Sequence, residues 1–353
     1  MNKFKRIGVL TSGGDAPGMN AAVRAIVRAG HEHGLEVYGI LEGYKGLIEG
    51  NMIEFKSPLD VSNIINESGT MLYSARCDEF RDEKYRKQAL AVAREKGLDG
   101  IVAIGGDGTF MGATLLAKLG MPIVGVPATI DNDMAATDYT IGYDSALTMN
   151  MEFIDMLRST CESHARCNVV EVMGRHAGYL AVNTAIATGA VGVAIPEIEF
   201  DEERVINTII EKRKIGKRGF IVVVSEGLPG YGAELAKKIE ARTGVESRFA
   251  CPAHAQRGFV PTLLDRVTAS QMGARAVEEL IAGNSDIVVV KRKGIVKTAN
   301  IARAFAVDNM FKGKITDEEL AELSPEDLAW SKTRCEELRE ELKGLYDLVY
   351  KIK

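Results

Sequence analysis

RIGVLTSGGDAPGMNAAVRAIV, residues 6–27, runs from an apolar stretch through a glycine turn into a helix-period segment. RIGVL (6–10) reads as a buried strand, and TSGGDAPGMN (11–20) as the loop that ends it. Beyond the loop, Met19, Ala22, Val23, Ile26 and Val27 fall on one helical face. The unit recurs along the chain. LEVYGIL (35–41), GIVAIGG (100–106), PIVGVPA (122–128), NVVEVM (168–173), VGVAIP (191–196), FIVVVSEG (220–227) and DIVVVKR (286–292) are further β-branched runs. Continuous apolar strands alternating with helices predict parallel sheets covered on both faces. The expected fold is doubly wound α/β, in two such domains.

Composition agrees with that frame. The chain has 353 residues, 46% hydrophobic and 26% charged, too long for one simple core and too apolar for disorder. A net charge of −5 with interspersed signs argues against a nucleic-acid or acidic-membrane partner. The basic run EKRKIGKR (211–218) reads as a helix end and turn. No apolar run reaches membrane-spanning length, the N-terminus lacks a signal-peptide cleavage pattern, and the expected location is cytoplasmic. Five cysteines without CxxC spacing indicate neither a disulfide framework nor a zinc site. The tail differs in character. TDEELAELSPEDLAW (316–330) and EELREELKGLYDLVYKIK (336–353) are charged and helical, with Thr316 capping toward Glu319, and read as a surface or interface appendage.

In open α/β sheets ligands bind beyond the carboxyl ends of the strands, so the loops there hold the candidate site. In the first, Gly13 and Gly14 let a backbone approach a phosphate next to a helix N-terminus. In IGGDGTFMGA (104–113) the same logic is joined by Asp107. A carboxylate beside a phosphate cradle calls for a cation between them, which suits Mg²⁺. In PATIDNDM (127–134) an extended backbone would put Asp131 and Asp133 on one side and Asn132 on the other. Two such acids fit a metal companion and a proton acceptor better than a plain Asx turn. In RFACPAHAQRGFVPTLLDR (248–266), Arg248, His254 and Arg257 suit a phosphate monoester. Arg76, Arg166 and Arg175 add cations at other loops. Many cations with few acids suit a site for two phosphorylated ligands.

These motifs, with GTMLYSARCDEF (69–80), VVEVMGRHAG (169–178) and VSEG (224–227), make the chain resemble the bacterial ATP-dependent 6-phosphofructokinase family over roughly residues 5–310. The resemblance implies two similar Rossmann-like domains with the active site in the cleft between them. The larger, nucleotide-binding domain would be 1–142 with 257–303. The smaller, sugar-phosphate domain would be 143–256 with 304–315, and 316–353 a helical extension. It implies transfer of the ATP γ-phosphoryl group to the 1-hydroxyl of fructose 6-phosphate in glycolysis. Asp131 would be the base, Thr129 and Asp133 its neighbours, and Arg76 and Arg175 the cations on the transferring group. Gly14, Tyr44, Arg76, Cys77, Gly106, Asp107, Gly108, Thr109 and Gly112 would meet the nucleotide, with Asp107 holding Mg²⁺. Thr129, Asp131, Met173, Gly174, Arg175, Glu226, His254 and Arg257 would meet the sugar phosphate. Arg166 and Arg248 would come from a neighbouring subunit, implying a homotetramer.

Departures from the family pattern qualify these expectations. Gly108, rather than aspartate, goes with ATP in the family; Ala128 stands where ATP enzymes carry glycine and pyrophosphate enzymes lysine. Arg24, Arg28, Arg158 and Lys217 match effector ligands, whereas Val191 replaces a glutamate and Ile215 an arginine there. Control by ADP and phosphoenolpyruvate is therefore expected to be weak or absent. Ala253 and Phe259 add bulk where glycines are usual. The alternatives are a pyrophosphate-dependent enzyme, a kinase of tagatose or sedoheptulose phosphate, and a non-catalytic regulatory subunit.

Overall fold

The computed structural model describes residues 4–353. The first elements are β1 (Arg6–Thr11), α1 (Met19–Glu32), β2 (Glu36–Ile40), α2 (Tyr44–Glu49), β3 (Met52–Phe55) and α3 (Glu83–Glu95). Then come β4 (Gly100–Gly105), α4 (Asp107–Ala117), β5 (Ile123–Pro127), α5 (Tyr143–His164), β6 (Cys167–Val172) and α6 (Tyr179–Ala187). They are followed by β7 (Gly192–Ala194), α7 (Glu202–Lys214), β8 (Phe220–Ser225), α8 (Tyr231–Thr243) and β9 (Ser247–Ala250). The chain ends with α9 (Leu263–Ile281), β10 (Ile287–Arg292), β11 (Ile295–Asn300), α10 (Ile301–Phe311), α11 (Asp317–Glu322) and α12 (Pro325–Lys351).

Two compact units result. The first comprises Met1–Thr129, Met134–Asp144 and Val260–Cys335; the second comprises Ile130–Asp133, Ser145–Phe259 and Glu336–Lys353.

In the first unit seven strands are ordered β11-β10-β5-β4-β1-β2-β3. The five central strands are parallel, and β3 and β11 pair antiparallel at the edges. The sequence marked the parallel strands by their unbroken apolar runs; all six residues of β4 are buried. Strand order reverses between β1 and β4, so the loops after these two strands flank the crevice where such sheets take ligands. The helix face proposed for α1 is buried at Met19, Ala22, Val23, Ile26 and Val27.

The second unit holds a parallel four-stranded sheet, β7-β8-β6-β9. Its strand β9 overlaps the start of the run that the sequence presented only as a site loop.

The tail is helical, with the Thr316–Glu319 capping box formed. The segment expected as a surface or interface appendage makes contacts in each unit. In the first unit, Arg303 stacks over Trp330 at 4.1 Å and Arg334 donates to the Ala135 carbonyl at 2.9 Å. In the second, Leu338, Leu342, Tyr346, Val349 and Tyr350 are buried, and the Tyr350 hydroxyl donates to the Val193 carbonyl at 3.3 Å. These apolar positions recur at helical spacing, which the high charge of the segment masked. Among the described residues no helix is long and apolar enough to cross a membrane.

Candidate active site

The glycine loops of the first unit are shaped by close backbone approach. A Cβ on Gly105 would come within 2.4 Å of the Ser12 carbonyl and 2.3 Å of Thr109 Oγ1, so only glycine fits where the two loops meet. Thr109 spans the same junction, its hydroxyl donating to the Ser12 carbonyl at 2.9 Å. Helix α4 then starts at Asp107 with Gly106 at its cap, pointing first-turn N–H groups at the crevice. A Cβ on Gly108 would meet nothing within 4 Å, leaving open space beside that turn.

A second segment is fastened over the β1 loop. Asn20, buried at the start of α1, donates to the Glu67 and Ser68 carbonyls and accepts from the Met71 amide at 2.7 Å. Thr11 donates to the Tyr73 carbonyl at 2.8 Å, and Ser74 to that of Gly13 at 2.5 Å. This anchorage presents Arg76, exposed, and Cys77, half-buried, just beyond the fixed stretch. Burial pushes the Cys77 thiol above its ordinary range. Tyr44 braces α4 instead of standing open: its ring stacks on Phe80 at 4.2 Å, and its hydroxyl donates to the Thr109 carbonyl. A Cβ on Gly112 would collide with that ring at 2.6 Å.

Asp107 is held from a direction the sequence did not reveal. Lys312 Nζ, at the end of α10, donates to its Oδ2 at 2.8 Å and to Asp308 Oδ2 at 2.7 Å. Asp308 also accepts the Ala135 amide at 3.0 Å. Burial and then the Asp107 charge raise the Asp308 carboxyl, and Lys312 offsets part of that rise. The three residues are 205 positions apart in sequence at the widest, so no local spacing could announce them.

The PATIDND stretch departs from expectation. The strand ends at Pro127, Ala128 forms a bridge with Ile141, and Ile130 and Asp131 turn instead of extending. Asn132 takes φ +49°, a left-handed conformation Asn tolerates well, so the simple alternation of side chains does not hold. Thr140 fixes the turn by donating to the Thr129 carbonyl at 2.6 Å. Asp131 alone of the three is buried, its side chain 3% exposed.

In the second unit Asp131 Oδ2 lies 3.8 Å from Arg175 Nε. Burial, reinforced by Asp133, raises its carboxyl to about 6; Arg257 and Arg175 pull the other way. The loop after β6 is held in shape by two side-chain acceptors. Glu226 Oε1 takes the amides of Gly174 at 3.1 Å and Arg175 at 2.8 Å. Those amides belong to residues at φ +131° and +53°, and a Cβ on Gly174 would meet the Ala177 carbonyl at 2.5 Å. Gln256, fully buried, accepts the Met173 amide at 3.1 Å and donates to the Ala253 carbonyl at 2.9 Å. It thereby joins the Met173 loop to the turn that carries exposed His254 and half-buried Arg257. Gln256 stood in the quoted run, but its amide role was not legible there.

Arg166 and Arg248 form a separate group, sharing Glu246; the Arg166 contact is 2.8 Å. Of the effector candidates, Arg24 and Arg28 sit on α1 in the first unit. In the second unit Arg158 donates to the Thr188 carbonyl, and burial followed by the charges of Lys212 and Arg158 lowers Lys217. Val191 is buried, whereas Ile215 is 84% exposed.

Asp107 is a carboxylate that could serve a divalent cation. No cluster of three or more potential metal ligands occurs among the described residues, so other ligands would have to come from phosphate and water. The arrangement offers an anion cradle in one unit, and a buried acceptor with arginines in the other.

The phosphofructokinase family model matches residues 6–280. The chain is 48% identical over 321 residues to the ATP-dependent 6-phosphofructokinase 1 of Clostridium perfringens, covering 91% of this chain and 98% of that protein. It is also 48% identical over 314 residues to the ATP-dependent 6-phosphofructokinase of Clostridium botulinum, covering 89% and 98%. The solved phosphofructokinase of Saccharomyces cerevisiae superposes with a TM-score of 0.82 at 31% identity, over 94% of this chain. This chain spans half the length of that yeast chain. With the family model matching residues 6–280 and relatives 48% identical over about nine-tenths of its length, the chain belongs to the phosphofructokinase family.

Proposed function

We propose that this chain transfers the γ-phosphoryl group of ATP to the 1-hydroxyl of fructose 6-phosphate in cytoplasmic glycolysis. The observation carrying the reading is Asp131, a buried carboxylate raised to about 6 and set 3.8 Å from Arg175, in a chain 48% identical to ATP-dependent relatives. The bond between the γ-phosphorus and the β,γ-bridging oxygen breaks as the sugar oxygen bonds to phosphorus. The hydroxyl proton passes to Asp131, and ADP and fructose 1,6-bisphosphate leave.

The residues divide the work by their chemistry. A carboxylate near its own pKa at working pH accepts a proton without being too weak a base. Thr129 and Asp133 flank it. Arg76 and Arg175 neutralise charge on the transferring group, where preorganised donors contribute most. The loop at Gly14 and the start of α4 at Gly106, Gly108 and Thr109, with Cys77, hold the nucleotide, while Tyr44, packed against Gly112, braces α4 beneath them. Met173, Gly174, Glu226, His254 and Arg257 hold the sugar phosphate.

The donor set fits Mg²⁺: one carboxylate, Asp107, at a helix N-terminus, suits an ion that arrives with phosphate oxygens and keeps waters. Bound there, Mg²⁺ would offset the charge of the β- and γ-phosphates. The open space at Gly108 supports ATP, since an α-phosphate needs that room. Arg166 and Arg248, already gathered on Glu246, are assigned to a neighbouring subunit's sugar phosphate in a homotetramer. With buried Val191 and apolar Ile215 beside Arg158 and Lys217 in the sequence pattern, effector control is proposed to be weak.

A coupled assay at fixed fructose 6-phosphate, with ATP or pyrophosphate as donor, tests the reading. Activity is expected with ATP, and Asp131→Ser should cut kcat by ~10²–10⁴-fold while the sugar KM moves only a few-fold. Turnover on pyrophosphate alone, or a kcat that survives the substitution, overturns it.

A further inference from the structure

We infer that Lys312, shared between Asp107 and Asp308, is a positioning residue for the metal–nucleotide complex. The inference rests on the proposed role of Asp107. Lys312 lies outside every glycine or aspartate motif of the chain, yet it is the residue that engages the Asp107 carboxylate, through Oδ2 at 2.8 Å.

The geometry favours support over blockade. Lys312 is mostly buried, its side chain 19% exposed, and Asp308 more so at 7%. Asp308 is fixed independently, four residues earlier on α10 and accepting the Ala135 amide at 3.0 Å. One ammonium therefore engages both carboxylates. Holding one oxygen of Asp107 fixes the rotation of its carboxylate and leaves the other oxygen to face a ligand. Carboxylates that ligate metals are commonly held by such outer hydrogen bonds, and losing the partner typically costs ~10–100-fold in affinity. Asp308 has a distinct part: it draws Lys312 partly away, so that Asp107 is oriented without being fully neutralised.

The test uses the full-length protein, a non-hydrolysable ATP analogue and Mn²⁺ as an EPR-visible probe. Binding of the analogue is measured with Mn²⁺ and with chelator, in wild type, Lys312→Met, Lys312→Arg, Asp308→Asn and Asp107→Ala. Lys312→Met is expected to weaken the Mn²⁺-dependent binding ~10–100-fold. Binding with chelator should stay within about two-fold, because outer support of a metal ligand does not act on metal-free nucleotide. Lys312→Arg should restore most of the loss. Asp308→Asn should weaken the metal arm as well, and it carries the test if Lys312→Met does not fold. Unchanged or tighter metal-dependent binding in Lys312→Met, with Asp107→Ala impaired, overturns the inference alone; tighter binding would mark Lys312 as a competitor. An unimpaired Asp107→Ala overturns the reading of Asp107 and the inference with it.

Discussion

Nε of Arg175 stands 3.8 Å from Oδ2 of Asp131, pairing a guanidinium that is 65% exposed with a carboxylate that is 3% exposed. The exposed partner is screened by water and holds the buried one only loosely in its charged form. Burial therefore dominates, and the carboxyl rises to about 6 despite two arginines. A base must be deprotonated to act, so kcat/KM for the sugar should climb between about pH 5 and 7 with an apparent pKa near 6. A profile flat down to pH 5 would contradict the assignment.

The same burial has a cost in stability, and its sign is opposite to that of the usual salt-bridged aspartate. The folded state holds the Asp131 proton more tightly than the unfolded chain does. Its contribution is therefore fully present below the ordinary 3.8 and is lost as pH rises through about 6. Above pH 7 the buried charge costs up to about 3 kcal/mol. Asp131→Asn should unfold at a higher temperature than wild type at pH 8, and the gap should narrow below about pH 6 and close toward pH 4. Equal melting temperatures across that range would show that the folded protein does not bear this penalty.

Gln256 joins the backbone of Met173 to that of Ala253, whose φ is +47° although it carries a side chain. Replacing the amide with Leu leaves both backbone groups without these partners, at about 1–3 kcal/mol for a buried group. The expected result is a KM for fructose 6-phosphate raised ~10-fold or more, with KM for ATP within about two-fold. Gln256→Glu keeps the acceptor for Met173 and should fall between. If both KM values shift together, Gln256 supports the fold and does not position the sugar site.

What the sequence disclosed follows from where burial and local chemistry coincide. The central strands announced themselves because parallel strands are apolar on both faces, as β4 is throughout. β3 and β11 went unread because edge strands face solvent: MIEF has two exposed residues out of four, and IVKTAN has no buried one. Glycine loops were legible since a tight turn and a close approach demand that residue at fixed spacing, as at Gly105. The conformation of Asn132 was not, because an Asx-rich stretch is compatible with extension and with a turn until its neighbours choose. Lys312 and Asp308 were invisible for another reason: their relation to Asp107 exists only after α10 and α4 are folded together.

Donor choice can be apportioned between Gly108 and Ala128, because the structure treats the two positions differently. A side chain at Gly108 would grow into open space, whereas Ala128 is 1% exposed, its amide bonded to the Gly105 carbonyl at 2.9 Å. Gly108→Asp should thus fold normally and place a carboxylate at the proposed phosphate contact. At about 4 Å and an effective dielectric near 20, like charges repel by about 4 kcal/mol, so kcat/KM for ATP should fall at least ~10²-fold. Its melting temperature should stay within about 2 °C of wild type, as for an open surface site. Ala128→Lys instead drives an ammonium into a packed site, costing several kcal/mol and lowering the melting temperature by on the order of 10 °C. Differential scanning calorimetry beside donor-specific assays separates the two effects. A Gly108→Asp variant that still uses ATP at full efficiency would move donor choice away from this turn. A stable Ala128→Lys variant with new pyrophosphate activity would move it to Ala128.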